Sequence, residues 1–286
     1  MKNFKAVGIA LVAAVAALLS SGADAPTRSR NTAVPGSPGG VRDSGGIICL
    51  MYHRFVTSAD YAGLAGDERV YSIPVERFEE QLAELRRWGY RAIGADEAVA
   101  FARGEGRPPH PAVLITIDDG NRSALTMAEP LLRKYGMRAT LFVTTDPCAF
   151  VFDAERPDRA RLTDDEIRSL DPRVLDVQAH GATHRPLRDL SDRELAAELR
   201  ESREVLSNLT GRRVAYMAVP GNWYDERVLT FARREGYDAV FVSDRGRIVP
   251  GTNPYRMPRY TVQGYKSLGG FRKLIAPGAA GVEPTR

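Results

Sequence analysis

The chain has 286 residues, 40 Lys and Arg against 36 Asp and Glu, a formal charge of +4, and two cysteines. Its cations are dispersed among acids, which leaves no basic stripe for nucleic acid and no polybasic patch for a membrane surface. The length exceeds that of an ordinary domain but suits a single α/β barrel with a full core.

The first segment has Lys2 and Lys5, an apolar run from Ala6 to Leu19, and then Ser20, Ser21, Gly22 and Ala23. This order of charge, apolar run and small residues predicts a signal peptide over residues 1–23 and export to the periplasm or beyond, with an uncleaved membrane anchor as the alternative. If the signal is cleaved, no stable membrane insertion is expected. Residues 24–46 are rich in Pro, Gly and Ser, carry no apolar period, and read as a flexible linker. Residues 47–275 form the expected folded domain, and residues 276–286 a C-terminal tail.

Within the domain one unit recurs: an amphipathic helix, a glycine stop, then a strand. It appears as LAELRRWGYRAI, PLLRKYGMRATLFV and TFARREGYDAVFV, with Gly89, Gly136 and Gly236 where a helix would end in the left-handed conformation. Thr163 with Glu166, and Ser191 with Glu194, fit the capping box that opens a helix. Candidate strands fall near 47–53, 90–93, 112–118, 139–145, 174–179, 214–219 and 238–242. Strands alternating with helices predict an α/β fold, an incomplete (β/α) barrel of about seven mainly parallel strands. Cys49 lies in the first of these and reads as a small core residue. Cys148 is available to pair with it in an oxidising compartment, and the redox state of the two stays open.

Two of these strands end in chemistry. Asp118 and Asp119 close AVLITIDDG, and His180 and His184 follow VLDVQA. Strand C-terminal ends are where α/β folds place their sites. One carboxylate with two imidazoles makes a three-ligand metal site with a position free for water, and the second aspartate is then available as a base. Asp-Asp-Gly is also an ordinary turn. The HxxxH spacing puts both rings on the same side of one helical turn. His53 ends the first strand on the face of Ile47, Cys49 and Met51; if that face lines the barrel it projects at the mouth, the alternative being a packing or hydrogen-bonding histidine. His110 precedes its strand and belongs to the opposite end. The loop after Val219 brings Trp223 and Tyr224 to the mouth, where aromatic rings suit the apolar faces of a sugar or serve as packed anchors.

The runs LITIDDGNRSALTMAEPLLRKYGMRATLFVTTD and VQAHGATHRPL resemble the first two motifs of the polysaccharide deacetylases of carbohydrate esterase family 4. LMYHRF, IPVERFEEQLAELRRWGYRAI and YRMPRYTV more closely resemble the branch that deacetylates exported poly-N-acetylglucosamine. The resemblance runs from about Ile47 to about Val262. It implies a catalytic domain over residues 47–275 in which Asp119, His180 and His184 hold one divalent ion, zinc first, with nickel, cobalt or iron as alternatives. Asp118 would then take a proton from the attacking water. The implied partners are a polysaccharide substrate and an exopolysaccharide export apparatus. Peptidoglycan, chitooligosaccharides and another acetylated surface glycan are the alternative substrates.

The pattern departs from the family at three places. Gly181 stands where Ser or Thr is usual, which predicts a missing hydrogen bond in the histidine loop. Ala218, Val219, Pro220 and Gly221 stand where Arg-x-Pro-Tyr is usual, so the arginine that orients the catalytic aspartate is absent there; Arg256 or Arg259 is available to replace it, Arg259 being preferred. No histidine follows His184. By elimination His53 is left to protonate the leaving amine, with protonated Asp118 as the rival donor. Two other classes compete: a glycoside hydrolase, disfavoured because successive side chains of an extended segment diverge, and a non-catalytic polysaccharide-binding barrel.

Overall fold

The computed structural model describes residues 46–146 and 160–276. The expected signal segment, the linker up to residue 45, Cys148 and the tail beyond residue 276 lie outside the described residues. Among the described residues no helix is long and apolar enough to cross a membrane.

Ten strands are present among these residues: β1 (Ile48–Tyr52), β2 (Arg54–Val56), β3 (Ser72–Pro74), β4 (Arg91–Ile93), β5 (Ala112–Ile117), β6 (Ala139–Val143), β7 (Leu175–Ala179), β8 (Tyr216–Ala218), β9 (Ala239–Phe241) and β10 (Tyr260–Thr261). Helices α1 (Ser58–Ala62), α2 (Gly66–Tyr71), α3 (Val75–Arg87), α4 (Ala95–Ala102), α5 (Glu129–Tyr135), α6 (Asp164–Ser169), α7 (Asp192–Thr210), α8 (Glu226–Arg234) and α9 (Leu268–Ile275) alternate with them. Eight strands form one parallel sheet in the order β10-β1-β5-β6-β7-β8-β9, with β4 also on β5. The gap between β9 and β10 is spanned by one parallel bridge, Phe241 to Met257. The architecture is thus an incomplete (β/α) barrel.

The local signals in the sequence act as written. Gly89, Gly136 and Gly236 have φ of 76°, 63° and 89°. Both capping boxes form, Thr163 with Glu166 opening α6 and Ser191 with Glu194 opening α7. The seven strand segments correspond to β1 and β4–β9. The two-residue β10 and the short parallel pair β2–β3 were not foreseen.

Period-two alternation divides the core in two. Ile48, Leu50 and Tyr52 of β1, Val113, Ile115 and Ile117 of β5, and Leu141 and Val143 of β6 face the helices. Their neighbours Cys49, Leu114, Phe142, Ala218 and Phe241 fill the barrel interior. β1 takes the whole of one edge of β5, so β4 and β6 share the other: β4 pairs with residues 112–114 and β6 with residues 116–117. The fork admits α4, whose Ala95, Ala98, Val99 and Ala102 join the interior cluster and plug the strand N-terminal end. The mouth therefore lies at the strand C-terminal ends, and the inward face of each strand leads to it.

Phe142 is fully buried in that interior, 5.3 Å from the Phe241 ring. Phe142→Ala should cost about 3–5 kcal/mol through the cavity it leaves, measured as a lower urea midpoint with an unchanged slope. A loss below about 1 kcal/mol would mean that the interior collapses to fill the space.

Candidate active site

Asp118 is the first residue after β5 and continues the inward series of Leu114 and Thr116, buried to 2% exposure. Its Oδ1 accepts from Arg259 Nη1 at 2.7 Å. Arg259 is itself fully buried. It enters from the residue before β10, and its Nη1 also reaches Thr116 Oγ1 at 3.3 Å while Nε reaches Val242 O at 3.4 Å. Burial alone would raise the Asp118 carboxyl. The Arg259 guanidinium, with His180 and His53, more than offsets this and holds it below the usual carboxylate range. Arg256 lies elsewhere, paired with Glu226 and stacked over Tyr224.

Asp119 leaves the strand geometry, with φ of 75°. The turn brings its Oδ1 to 3.4 Å from Nε2 of both His180 and His184. Asp118 Oδ2 lies 4.0 Å from the same His180 Nε2. The divergence expected of two successive extended residues therefore does not hold, since the left-handed turn lets both carboxylates reach one imidazole. What disfavours a pair of glycosidase acids is the presence of the two histidines on Asp119.

His180 is buried and follows β7 on its inward face; its Nδ1 donates to Ala218 O at 2.9 Å, which fixes the tautomer and turns the Nε2 lone pair toward Asp119. The histidines do not share a helical turn. They bracket an irregular loop with φ of 73° at Gly181 and 60° at His184, and their rings lie 5.1 Å apart. A spacing of four suits a helix, but a left-handed glycine one residue after the first ring stops a helix from forming there. The side chains of Asp119 and His184 stay 26% and 23% exposed while His180 is at 2%, so the triad opens to solvent on one side.

The three residues fit a metal ion. Their ligand atoms lie within 4.8 Å of one another, and the buried Asp119 Oδ1 has no hydrogen-bond partner of its own. Two neutral imidazole nitrogens and one carboxylate oxygen are a donor set for one divalent cation, with room for water or substrate.

One residue in the site was invisible in the sequence. Glu198 of α7, 5% exposed, accepts from Ala182 N at 2.8 Å, Thr183 N at 2.9 Å and the Thr183 hydroxyl. The hydrogen bond expected to be missing at Gly181 is thus replaced by three from the helix beneath. A Cβ at Gly181 would lie 3.3 Å from Glu198 Oε2, so the loop packs directly on this carboxylate.

The remaining predicted residues gather at the same end. His53 follows β1, and its pKa is lowered, by burial first, against the opposing pull of Asp119 and Asp118. Trp223 is 37% exposed on the loop after β8. Tyr224 is anchored: its hydroxyl donates to Asp244 Oδ2 at 2.5 Å and its ring packs on the core. His110 borders a pocket with Gly46 and Ile47 at the opposite end.

Comparison with known proteins agrees with this geometry. Residues 105–240, which contain both aspartates and both histidines, match the polysaccharide deacetylase family. YxkH of Bacillus subtilis (strain 168) is 24% identical over 203 residues, 71% of this chain and 70% of its own. Among solved structures, the Streptococcus pyogenes deacetylase PplD, in complex with acetate, superposes with a TM-score of 0.70 at 23% identity, over 81% of this chain and 99% of that one. IcaB of Ammonifex degensii gives 0.66 at 22% identity, over 82% and 97%.

Glu198→Ala should weaken metal binding about 10–100-fold, the usual effect of losing a partner that orients the ligands, with Glu198→Gln between it and wild type. Competition against a chromogenic chelator measures this. Unchanged affinity would show that the loop holds its shape without the carboxylate.

Proposed function

We propose that the chain is a polysaccharide deacetylase, as the match over residues 105–240 supports, and that it hydrolyses the N-acetyl groups of an exported poly-N-acetylglucosamine, releasing acetate and leaving free amines on the polymer. The observation that carries the reading is the open Asp119, His180 and His184 triad set beside a buried carboxylate that Arg259 holds charged. Poly-N-acetylglucosamine rests on the runs LMYHRF and YRMPRYTV, the second of which supplies Arg259. Export rests on the charged and apolar run at residues 2–19, and it would set the enzyme beside an exopolysaccharide export apparatus.

Asp119, His180 and His184 would hold the ion, zinc being the first choice for two imidazoles and a carboxylate. When bound, the ion polarises the amide carbonyl and lowers the pKa of water toward neutrality. Asp118 accepts the proton of the water that attacks the carbonyl carbon, and its ionised state is what a base at neutral pH requires. Arg259 positions Asp118 and balances its buried charge. As the C–N bond breaks, the nitrogen takes the proton that Asp118 removed from the water, and His53, held neutral by burial on the β1 side of the mouth, relays it. Acetate leaves and the amine stays on the sugar.

Asp118→Asn should keep stoichiometric metal while acetate release from poly-N-acetylglucosamine falls on the order of a hundredfold to ten-thousandfold. Metal content by atomic emission and acetate by a coupled assay, with and without chelator, measure both. New reducing ends without acetate would indicate a glycosidase. Metal with no acetate from any acetylated glycan would leave a binding protein.

A further inference from the structure

The corner between α2 and β3 has no part in the chemistry above, yet it sets an aromatic ring at the mouth. β3 pairs with β2 in parallel register, Arg54 opposite Ser72, which leaves Tyr71 level with His53. The two rings lie 4.7 Å apart, tilted by 57°. Because Asp118 N donates to Tyr52 O at 2.9 Å, His53 follows directly beside Asp118, and Tyr71 stands on the rim of the mouth that holds the triad.

The corner is fixed from two directions. Arg54 Nε donates to Ser72 Oγ at 3.0 Å, and Gly264 N donates to Val70 O at 3.0 Å. A Cβ at Gly264 would lie 1.8 Å from Ser72 O, so the loop after β10 rests on this backbone and only glycine fits. Tyr71 nonetheless remains 43% exposed. A large ring held in solvent by a rigid backbone is a prepaid platform for a flat apolar surface, because little side-chain freedom is lost on contact.

Trp223, 37% exposed, stands on the loop after β8. In the sheet order, β5, β6 and β7 separate β1 from β8 on one side, and β10 and β9 on the other. The two rings therefore occupy opposing rims, with the residues after β5 and β7 between them. Rings on opposing rims suit a chain of sugars crossing the mouth better than one sugar entering it, since pyranose rings present apolar C–H faces to aromatic walls.

We propose that Tyr71 is a substrate-positioning residue: its ring forms the β1-side wall of the groove and stacks on a sugar neighbouring the one whose acetamide enters the triad. The proposal rests on the polysaccharide reading above. It makes the site selective for chains over monosaccharides.

The test is calorimetric binding of a β-1,6-linked N-acetylglucosamine pentamer, and of N-acetylglucosamine itself, to the metal-loaded full chain carrying Asp118→Asn. Adding Tyr71→Ala should weaken pentamer binding about tenfold and monosaccharide binding less than about twofold, and Tyr71→Trp should restore the pentamer. With Asp118 intact, Tyr71→Ala should raise KM for the pentamer while kcat and metal content hold. Unchanged pentamer affinity, or no binding of the pentamer by either protein, overturns the proposal. A fall in kcat at constant KM overturns it as well, making Tyr71 a prop for His53. Binding that depends on Tyr71 in a chain that releases no acetate upholds the ring's role and defeats the deacetylase reading instead.

Discussion

The buried ion pair between Asp118 and Arg259 is the interaction on which the rest of the site depends. A carboxylate and a guanidinium, 3% and 0% exposed, meet at 2.7 Å across a strand that belongs to neither, since β1 separates β5 from β10 in the sheet. Taking two charges out of water costs several kcal/mol each, and removing one partner leaves the other stranded, a change that typically costs about 3–5 kcal/mol. The pair persists because the guanidinium is held on other sides too, by Thr116, by the Val242 carbonyl and by the Phe142 ring 5.5 Å below. Cys49 lies in the same interior, and burial pushes its thiol up to about 12, so it stays neutral and behaves as a small apolar residue.

This constraint gives two adjacent aspartates different fates. Asp118 keeps strand geometry and points inward to Arg259. Asp119 turns into the left-handed region and meets the two histidines. A residue in that region is strained unless its surroundings determine it, and such strain gathers at functional sites. Asp119 and His184 both adopt it, with Gly181 between the histidines. Pre-organisation here is a property of backbone turns braced from behind, by Ala218 O on His180 and by Glu198 on Ala182 and Thr183.

The parts of this arrangement that could be read in the sequence are those written in local chemistry. Apolar alternation marks β5 and β7, and the glycine stops and capping boxes mark helix ends through backbone requirements that hold in any fold. Asp118, Asp119, His180 and His184 stand out because they follow such strands. The histidine spacing misleads by itself, because an interval of four suits a helix and says nothing of the left-handed glycine's effect. Glu198 carries no signal at all, since its partners are mostly backbone N–H groups remote in sequence and it sits in an ordinary amphipathic helix. Tyr71 is equally silent, because its place depends on a three-residue parallel pair too short to show alternation. Arg259 is intermediate: the resemblance suggests it as a substitute for the missing arginine on the catalytic aspartate, while the route by which it reaches Asp118, across β1 from β10, is set by strand order.

The central claim is that Arg259 withdraws Asp118 from the metal's ligand set, leaving one carboxylate to bind and one to act as base. An anomalous-difference map from a crystal of the full chain grown with zinc tests this directly. The account predicts one peak bonded at about 2.0–2.2 Å to an Asp119 oxygen and to Nε2 of His180 and His184, with Asp118 outside bonding distance and still paired with Arg259. A peak bonded to both aspartates, with Arg259 displaced from Asp118, would contradict it.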